Sequence, residues 1–227
     1  MKTATINQPP PLLAVSEWVQ GHPVNFDQLL GHVVLVEIFQ VNCPGCFLHA
    51  LPNAINLHQK YANRGLIVLG IATAFEDFDK NTLENLKRLV NNAEVIGDTQ
   101  KILSEQGLLI QNCLPYHIPF PLAMDRLHHR NSPVTSHEVN NFIQQHFAYF
   151  DNQPIELQLK LKQRVYHHLE SLQYHAETFE CFALKGTPSH ILVDKQGILR
   201  EVVFGIHSDL ENIIQNLLRA EYTLHQT

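Results

Sequence analysis

Residues 33–46 read VVLVEIFQVNCPGC, an apolar and β-branched run that ends in a Cys-x-x-Cys motif. The run is too short to span a membrane, and its composition is typical of a strand buried on both faces of a sheet. The residues that follow, FLHAL at 47–51, begin a helical pattern. A Cys-x-x-Cys at the turn from a buried strand into a helix predicts thiol–disulfide redox chemistry.

The two motif cysteines, Cys43 and Cys46, have the spacing of a disulfide on a first helical turn. Such a turn puts their Cα atoms about 5–6 Å apart, within the range that a disulfide allows. Cys43 would meet the positive end of the helix dipole, which favours the thiolate over the thiol. Pro44 suits the first helical position, where no amide donor is needed. A structural alternative is a pair of buried, reduced cysteines.

Zinc is the competing use of a Cys-x-x-Cys motif, and a structural zinc site needs a second close pair of ligands. The nearest candidate cluster is CLPYH at residues 113–117, and Pro115 interrupts it. The 15 histidines include the pairs at 128–129 and 167–168, but none lies in a recognised ligand spacing. We therefore expect no metal site and no cofactor.

The composition limits the class of protein. A chain of 227 residues with 44% hydrophobic content can bury a full core. A formal net charge of −6 argues against nucleic acid or anionic lipid as a partner. The N-terminus lacks the apolar region of a signal peptide, and no window approaches a membrane span, so we expect a cytoplasmic protein. We expect residues 1–11 to form a flexible, proline-rich leader and residues 12–227 to form one domain.

The rest of the chain predicts alternating strands and helices. Residues 12–30 predict a small hairpin, and the later elements are read from periodicity, caps and turn signals. These elements are a buried strand at 66–72, a helix capped by Thr82, a helix near 99–109, a strand at 118–124, a hairpin at 189–204 and a closing helix from Ser208. Between 126 and 181 the pattern changes to two amphipathic helices, one over 139–150 and one over 161–172.

The order of these elements resembles the thioredoxin superfamily, and within it the TlpA-like thiol–disulfide oxidoreductases. The resemblance is carried by residues 30–39, by the Cys-Pro-Gly-Cys motif, and by residues 187–197, which begin Thr-Pro. It covers roughly 12–125 and 182–218 and implies an α/β, thioredoxin-like fold with a mixed central sheet flanked by helices. A helical insertion at about 126–181 would precede the cis-proline strand. Asn42 departs from the family, which usually has tryptophan there.

The resemblance implies the roles of three catalytic residues. Cys43 would be the attacking thiolate and Cys46 the resolving thiol, with exchange through a mixed disulfide. Glu37 is the one ionisable residue in the buried run, so it should have a raised pKa or a polar partner. Six positions before the first cysteine, Glu37 matches the buried acid of the family and would take the proton from Cys46. The alternative is an edge glutamate that reaches solvent.

The substrate-binding residues implied by the resemblance are Pro44 and Gly45 in the motif and Thr187 and Pro188 before the hairpin. The matching proline of the family is cis and lies against the cysteines, and Thr187 would offer backbone hydrogen bonds to an extended substrate. The expected partners are a protein or small-molecule disulfide, and a reductant protein or glutathione. Since no basic residue lies between the cysteines, we expect a reductant rather than an oxidant.

Two other functions stay open. A peroxiredoxin-like thiol peroxidase shares the fold, although its reactive cysteine follows a Pro and a Thr or Ser, and residues 39–42 here read FQVN. The second is a thioredoxin-fold module that binds a client protein through the insertion, with incidental redox activity. The insertion is expected to line the approach to Cys43, or else to pack away from it. Cys113 and Cys181 are either a disulfide relay or buried cysteines.

Overall fold

The computed structural model describes residues 3–222. Within them the chain forms a mixed six-stranded sheet and a separate two-stranded ribbon. The strands are β1 (Val15–Gln20), β2 (Val33–Phe39), β3 (Leu66–Ala72), β4 (Leu122–Asp125), β5 (Leu127–His129), β6 (Tyr174–Ala176), β7 (Ser189–Val193) and β8 (Leu199–Phe204). The sheet has the order β1-β4-β3-β2-β7-β8, and β5 pairs with β6 in the ribbon. The expected mixed central sheet is confirmed.

Strand β2 lies at the centre of the sheet, and every one of its residues is buried. It runs parallel to β3, from Val33 opposite Leu66 to Phe39 opposite Ala72, and antiparallel to β7. Strand β3 is also parallel to β4, whereas β1 and β8 are antiparallel edge strands. The unbroken apolar run of β2 is therefore explained by a strand that is covered on both faces.

The helices are α1 (Leu51–Tyr61), α2 (Leu83–Asn92), α3 (Gly97–Glu105), α4 (Ser136–His146), α5 (Ile155–Ser171), α6 (Glu177–Cys181) and α7 (Leu210–Arg219). Alternate residues of β2 enter two different cores. Val33, Leu35 and Phe39 pack with buried residues of α1, α2, α3 and α7, whereas the residues between them pack with Phe26 and Phe182. No described helix has both the length and the apolar character needed to cross a membrane.

The hairpin predicted over residues 12–30 is not formed, because β1 pairs with the distant strand β4. Asn25 explains the difference. Its side chain bonds both backbone groups of Leu13 and caps a short 3-10 turn at Phe26–Gln28. The chain therefore leaves β1 through a turn rather than a returning strand.

The start of the described chain lies against the body of the fold. The Ala4 amide donates to the Cys181 carbonyl, and the backbones of Asn7 and Gln8 bond to Leu199 in β8. These contacts fall within residues 1–11, which the sequence predicts to be a flexible leader.

The stretch between β4 and β7 contains the ribbon and three helices. Helices α4 and α5 leave from β5 and return into β6, and they pack on each other through Val139, Ile143, Val165 and Leu169. This cluster is separate from the two clusters of the sheet. The two amphipathic helices predicted here are confirmed.

Candidate active site

The Cys-x-x-Cys motif lies directly after the carboxyl end of β2, where Cys43 and Cys46 form a disulfide with a Cα–Cα distance of 5.3 Å. A π-helical turn over Cys46–Ala50 continues into α1, so the motif begins a helical segment as predicted. Cys43 is half-buried and Cys46 is fully buried. The Cys46 amide lies 3.2 Å from Cys43 Sγ and donates to it. Cys43 is therefore the more accessible sulfur, and it faces a backbone donor that would stabilise a thiolate.

The loop before β7 meets the motif at the position that the resemblance implies. The Thr187–Pro188 peptide bond is cis. A Cβ atom placed on Gly45 would lie 4.0 Å from Pro188 Cδ, so Gly45 and Pro188 are in close contact. Thr187 Oγ1 donates to Gln40 Oε1 at 3.1 Å, which ties this loop to the segment between β2 and the cysteines. The structure thus brings the motif, Thr187 and Pro188 together.

Glu37 is fully buried in β2 and is paired with a histidine. Its Oε2 lies 2.7 Å from Nδ1 of His190, which β7 places directly opposite it, and His190 Nε2 lies 3.0 Å from the Gly205 carbonyl. Glu37 Oε1 is buried without a hydrogen-bond partner. Burial raises the pKa of Glu37 above its usual value, and the hydrogen bond and charge of His190 oppose that shift only in part. The alternative of a solvent-reaching edge glutamate is therefore wrong.

Burial by itself would lower the pKa of His190, but the hydrogen bond and charge of Glu37 raise it above the usual value. His190 was not identified from the sequence. A signal was available, because His190 and Asp194 are the ionisable residues within the strand predicted at 189–194, and of the two only His190 lies within its apolar run. Two ionisable residues in neighbouring buried strands are expected to pair. Their register, however, cannot be read from one sequence.

Two amides before the cysteines join the motif to the loop at residues 73–82. Gln40 Nε2 donates to the Glu76 carbonyl, and the Asn42 amide donates to Asn81 Oδ1 at 2.9 Å. The Asn42 side chain donates to Asp77 Oδ2 at 2.7 Å and accepts from the Asp98 amide at 2.7 Å. Asn42 is therefore a hydrogen-bonding centre directly beside Cys43.

Aromatic contacts connect the loop at residues 73–82 to the helical insertion at 126–181. Phe75 stacks on Phe179 of α6 with ring centroids 4.7 Å apart, and Phe78 contacts Tyr174 of β6 at 5.2 Å. The helical insertion between β4 and β7, at residues 126–181, is called the helical excursion below. Its base is thereby attached to a loop that is itself bonded to Gln40 and Asn42.

The other two cysteines lie on opposite faces of the sheet. Cys113 packs, half-buried, against the same core cluster as Cys46, whereas Cys181 is buried in the other cluster. Burial raises the pKa of the Cys181 thiol. Among residues 3–222, no group of three or more His, Cys, Asp or Glu side chains could hold a metal ion.

Comparison with known proteins supports the same fold. No family model matches the sequence. The protein DipZ of Mycobacterium bovis and that of Mycobacterium tuberculosis are each 30% identical over 74 residues, which is 31% of this chain and about a tenth of the length of each DipZ protein. A solved thioredoxin-like superfamily protein is 23% identical with a TM-score of 0.59, covering 95% of this chain and 99% of that chain.

A second solved structure, a thiol-disulfide isomerase from Corynebacterium glutamicum, is 27% identical over 95% of this chain and 99% of its own, with a TM-score of 0.58. This chain therefore has the thioredoxin-like fold, and it carries the Cys-x-x-Cys disulfide of a thiol–disulfide oxidoreductase.

Proposed function

We propose that this protein reduces disulfides, with Cys43 as the attacking thiolate and Cys46 as the resolving thiol. The Cys43 thiolate attacks one sulfur of the substrate disulfide, and the other substrate sulfur leaves as a thiolate. Cys46 then attacks Cys43, which releases the second substrate sulfur and leaves the Cys43–Cys46 disulfide. The observation that carries the proposal is the difference in exposure between the two sulfurs beside Pro188.

Glu37 is the proposed base for the second step. The Cys46 thiol must lose its proton before it attacks, and a buried thiol needs a nearby acceptor. Glu37 lies on the face of β2 that carries Val33, Leu35 and Phe39, and those three residues pack in the same core cluster as Cys46. Its unpartnered Oε1 is an acceptor left open in an apolar surrounding.

The proposed substrate is an extended segment that lies along Thr187 and Pro188 and contacts Pro44 and Gly45. The Thr187 hydroxyl is bonded to Gln40, which holds the loop in place, so the backbone of Thr187 is the group proposed to bond the substrate. Both protein and small-molecule disulfides fit this mode, and glutathione or a dithiol protein would restore the reduced state.

The direction of the reaction is proposed from the charge between the cysteines. Pro44 and Gly45 carry no charge, so nothing in the dipeptide stabilises the thiolate strongly enough to make an oxidant. A reducing compartment such as the cytoplasm, as expected from the sequence, suits that direction. We expect a reduction potential well below the value of about −120 mV that is typical of strong oxidants.

Insulin reduction tests the proposal. The wild type, supplied with glutathione or dithiothreitol, should accelerate insulin reduction, and Cys43→Ser should abolish the acceleration. Cys46→Ser should instead accumulate a mixed disulfide with the substrate, because the first step remains. Cys113→Ser is the matched control and should retain full activity. Activity that survives in Cys43→Ser would overturn the assignment, and inactivity of the wild type would favour the client-binding module.

A further inference from the structure

Glu37 and His190 form a buried ionisable pair at the centre of the sheet. They lie opposite each other on β2 and β7, with exposed fractions of 0% and 3%. On the other side of Glu37, β3 contributes Gly70, which has no side chain. The pair is therefore buried, with the Gly205 carbonyl as a further hydrogen-bond partner of His190, and Cys46 packs in the same core cluster as Val33, Leu35 and Phe39 on this face of β2.

The hydrogen bonds of His190 fix how many protons the pair holds. A carbonyl oxygen only accepts, so His190 Nε2 must donate to Gly205 and must carry a proton. The short Nδ1–Oε2 contact then contains one further proton, placed either on His190 or on Glu37. The pair is neutral overall in both cases, as a glutamate with an imidazolium or as a carboxylic acid with an imidazole.

A carboxyl group buried without such a partner would stay protonated at neutral pH, because burial disfavours the charged form. It could then accept no proton from a thiol. An imidazolium at His190 would supply the positive charge that permits the carboxylate to exist in this position. Because His190 is bonded to Oε2, Oε1 is the oxygen left without a partner.

We propose that His190 is a positioning residue that keeps Glu37 ionised, so that Glu37 Oε1 can take the proton of Cys46 in the resolving step. This inference rests on the proposed function of Cys43, Cys46 and Glu37. The proton passes from Cys46 Sγ to Glu37 Oε1, the Cys46–Cys43 bond forms, and the bond from Cys43 to the substrate sulfur breaks. The substrate sulfur leaves as a thiolate, so the substrate disulfide is the oxidant and no other reactant is needed.

Among the described residues, the ionisable groups shown at this site are Glu37 on β2 and His190 on β7, and Cys46 packs in the core cluster of the β2 face that carries Glu37. Strand β3 contributes Gly70, and the segment after β8 contributes the Gly205 carbonyl. A pH profile of the resolving step should therefore report chiefly on Cys46 and on this pair.

The test uses dithionitrobenzoate, an aromatic disulfide whose thiol product is coloured, with the reduced protein in a Cys113→Ser background. Cys43 should release a first equivalent of the product at a rate that depends on reagent concentration. Cys46 should release a second equivalent at a rate that does not. In His190→Gln we expect the second rate at neutral pH to fall about tenfold for each unit by which the pKa of Glu37 rises. Its pH profile should move to higher pH, while the first rate stays unchanged.

The controls separate a specific effect from a general one. His58→Gln makes the same change at a histidine on α1, and it should leave both rates unchanged. Glu37→Gln should slow the second rate at all pH values, and the double variant Glu37→Gln with His190→Gln should be no slower than Glu37→Gln alone. An unshifted second profile in His190→Gln would overturn the role of His190 while the proposed function stands.

A second measurement needs no variant. In the reduced wild type at neutral pH, nitrogen NMR should show both ring nitrogens of His190 protonated, and an unprotonated Nδ1 would overturn the proposal. Failure of the proposed function has a different signature. In that case the wild type would release no more of the coloured thiol than Cys46→Ser does.

Discussion

Asn42, the residue directly before Cys43, forms hydrogen bonds with two other parts of the chain. The Asn42 side chain donates a hydrogen bond to Asp77 in the loop after β3 and accepts one from the Asp98 amide at the start of α3. Gly97 must stay small in this arrangement, because a Cβ atom there would overlap Asn42 Oδ1, and its φ of 58° also favours glycine. The position of Cys43 is therefore fixed by hydrogen bonds from outside its own strand.

Replacement of Asn42 by alanine should lower the free energy of unfolding by about 1–3 kcal/mol, because the buried Asn42 side chain loses its hydrogen bonds to the Asp77 carboxylate and the Asp98 amide. Urea denaturation measures the change. Asn53→Ala is the matched control, since Asn53 is exposed on α1, and it should change the stability by less than about 0.5 kcal/mol. Equal effects of the two substitutions would contradict the role of Asn42.

Asp125 gives the stability a pH dependence of opposite sign to that of most carboxylates. It accepts hydrogen bonds from the Thr178 and Phe179 amides and from the Thr73 hydroxyl. Burial nevertheless raises the pKa of Asp125 to about 6, because those bonds offset it only in part. Between about pH 4 and pH 6 the folded protein keeps a proton that the unfolded chain has released, so stability falls as the pH rises through that window.

The comparison with Asp125→Asn isolates this effect, because asparagine does not titrate. We expect the free energy of unfolding of the wild type, minus that of the variant, to fall by up to about 3 kcal/mol between pH 4 and pH 7. Urea denaturation at several pH values gives both quantities. A difference that grows with pH would show that the carboxylate is the favoured form in the folded protein.

At the level of elements, helices α4 and α5 hold together through a small core of their own. Val139 and Ile143 of α4 meet Val165 and Leu169 of α5, and this cluster is separate from the clusters of the sheet. The two helices should therefore open as a local unit without unfolding β2 and β3.

Ile143→Ala should destabilise this unit by about 2–5 kcal/mol, because it removes a side chain that is 1% exposed from a small core. Hydrogen exchange by mass spectrometry should show lost protection over 136–171 and unchanged protection in β2 and β3. Ile155→Ala makes the same change on α5 at a side chain that is 67% exposed, and it should alter neither region. Lost protection in β2 with Ile143→Ala would show that the two helices and the sheet unfold together.

The elements differ in how far the sequence could predict them. Helix α2 begins after Thr82 as predicted, because a threonine that caps an amphipathic run is a local signal. Strands β5 and β6 were missed, since three residues each, with histidines among them, are too short for a periodic pattern. The pairing of β1 with β4 was also missed, because it joins residues more than a hundred positions apart.

For the molecule as a whole, the thioredoxin-like core could be predicted because its signals are local: a buried run, a Cys-x-x-Cys and a Thr-Pro before a hairpin. The network around the cysteines could not. His190, Gln40 and Asn42 act through partners on other strands and loops, and those contacts depend on register and on loop conformation. The same limit hid the attachment of the helical excursion to the loop at residues 73–82.

That attachment leads to a prediction about which disulfides the protein reduces. The excursion joins the active-site loops through Phe78 and Tyr174, and α5 carries Ile155 and Leu159, one helical turn apart and 67% and 61% exposed. Exposed apolar side chains on a segment attached to the loop that bonds Gln40 and Asn42 suit contact with a protein substrate rather than with a small disulfide.

The ribbon shows where the excursion can be shortened. The Arg130 amide bonds to the Gln173 carbonyl at 2.9 Å beyond the paired strands β5 and β6. Replacing residues 131–172 by an Asn-Gly turn should close this ribbon as a hairpin and remove α4 and α5.

We expect the shortened protein to reduce dithionitrobenzoate at the wild-type rate, because Cys43, Cys46, Glu37 and Pro188 all lie outside the deleted stretch. Its rate with protein disulfides such as insulin should change. If both rates stay unchanged in a variant with a cooperative unfolding transition, the two helices do not select the substrate; if both are lost in such a variant, they support the active site itself.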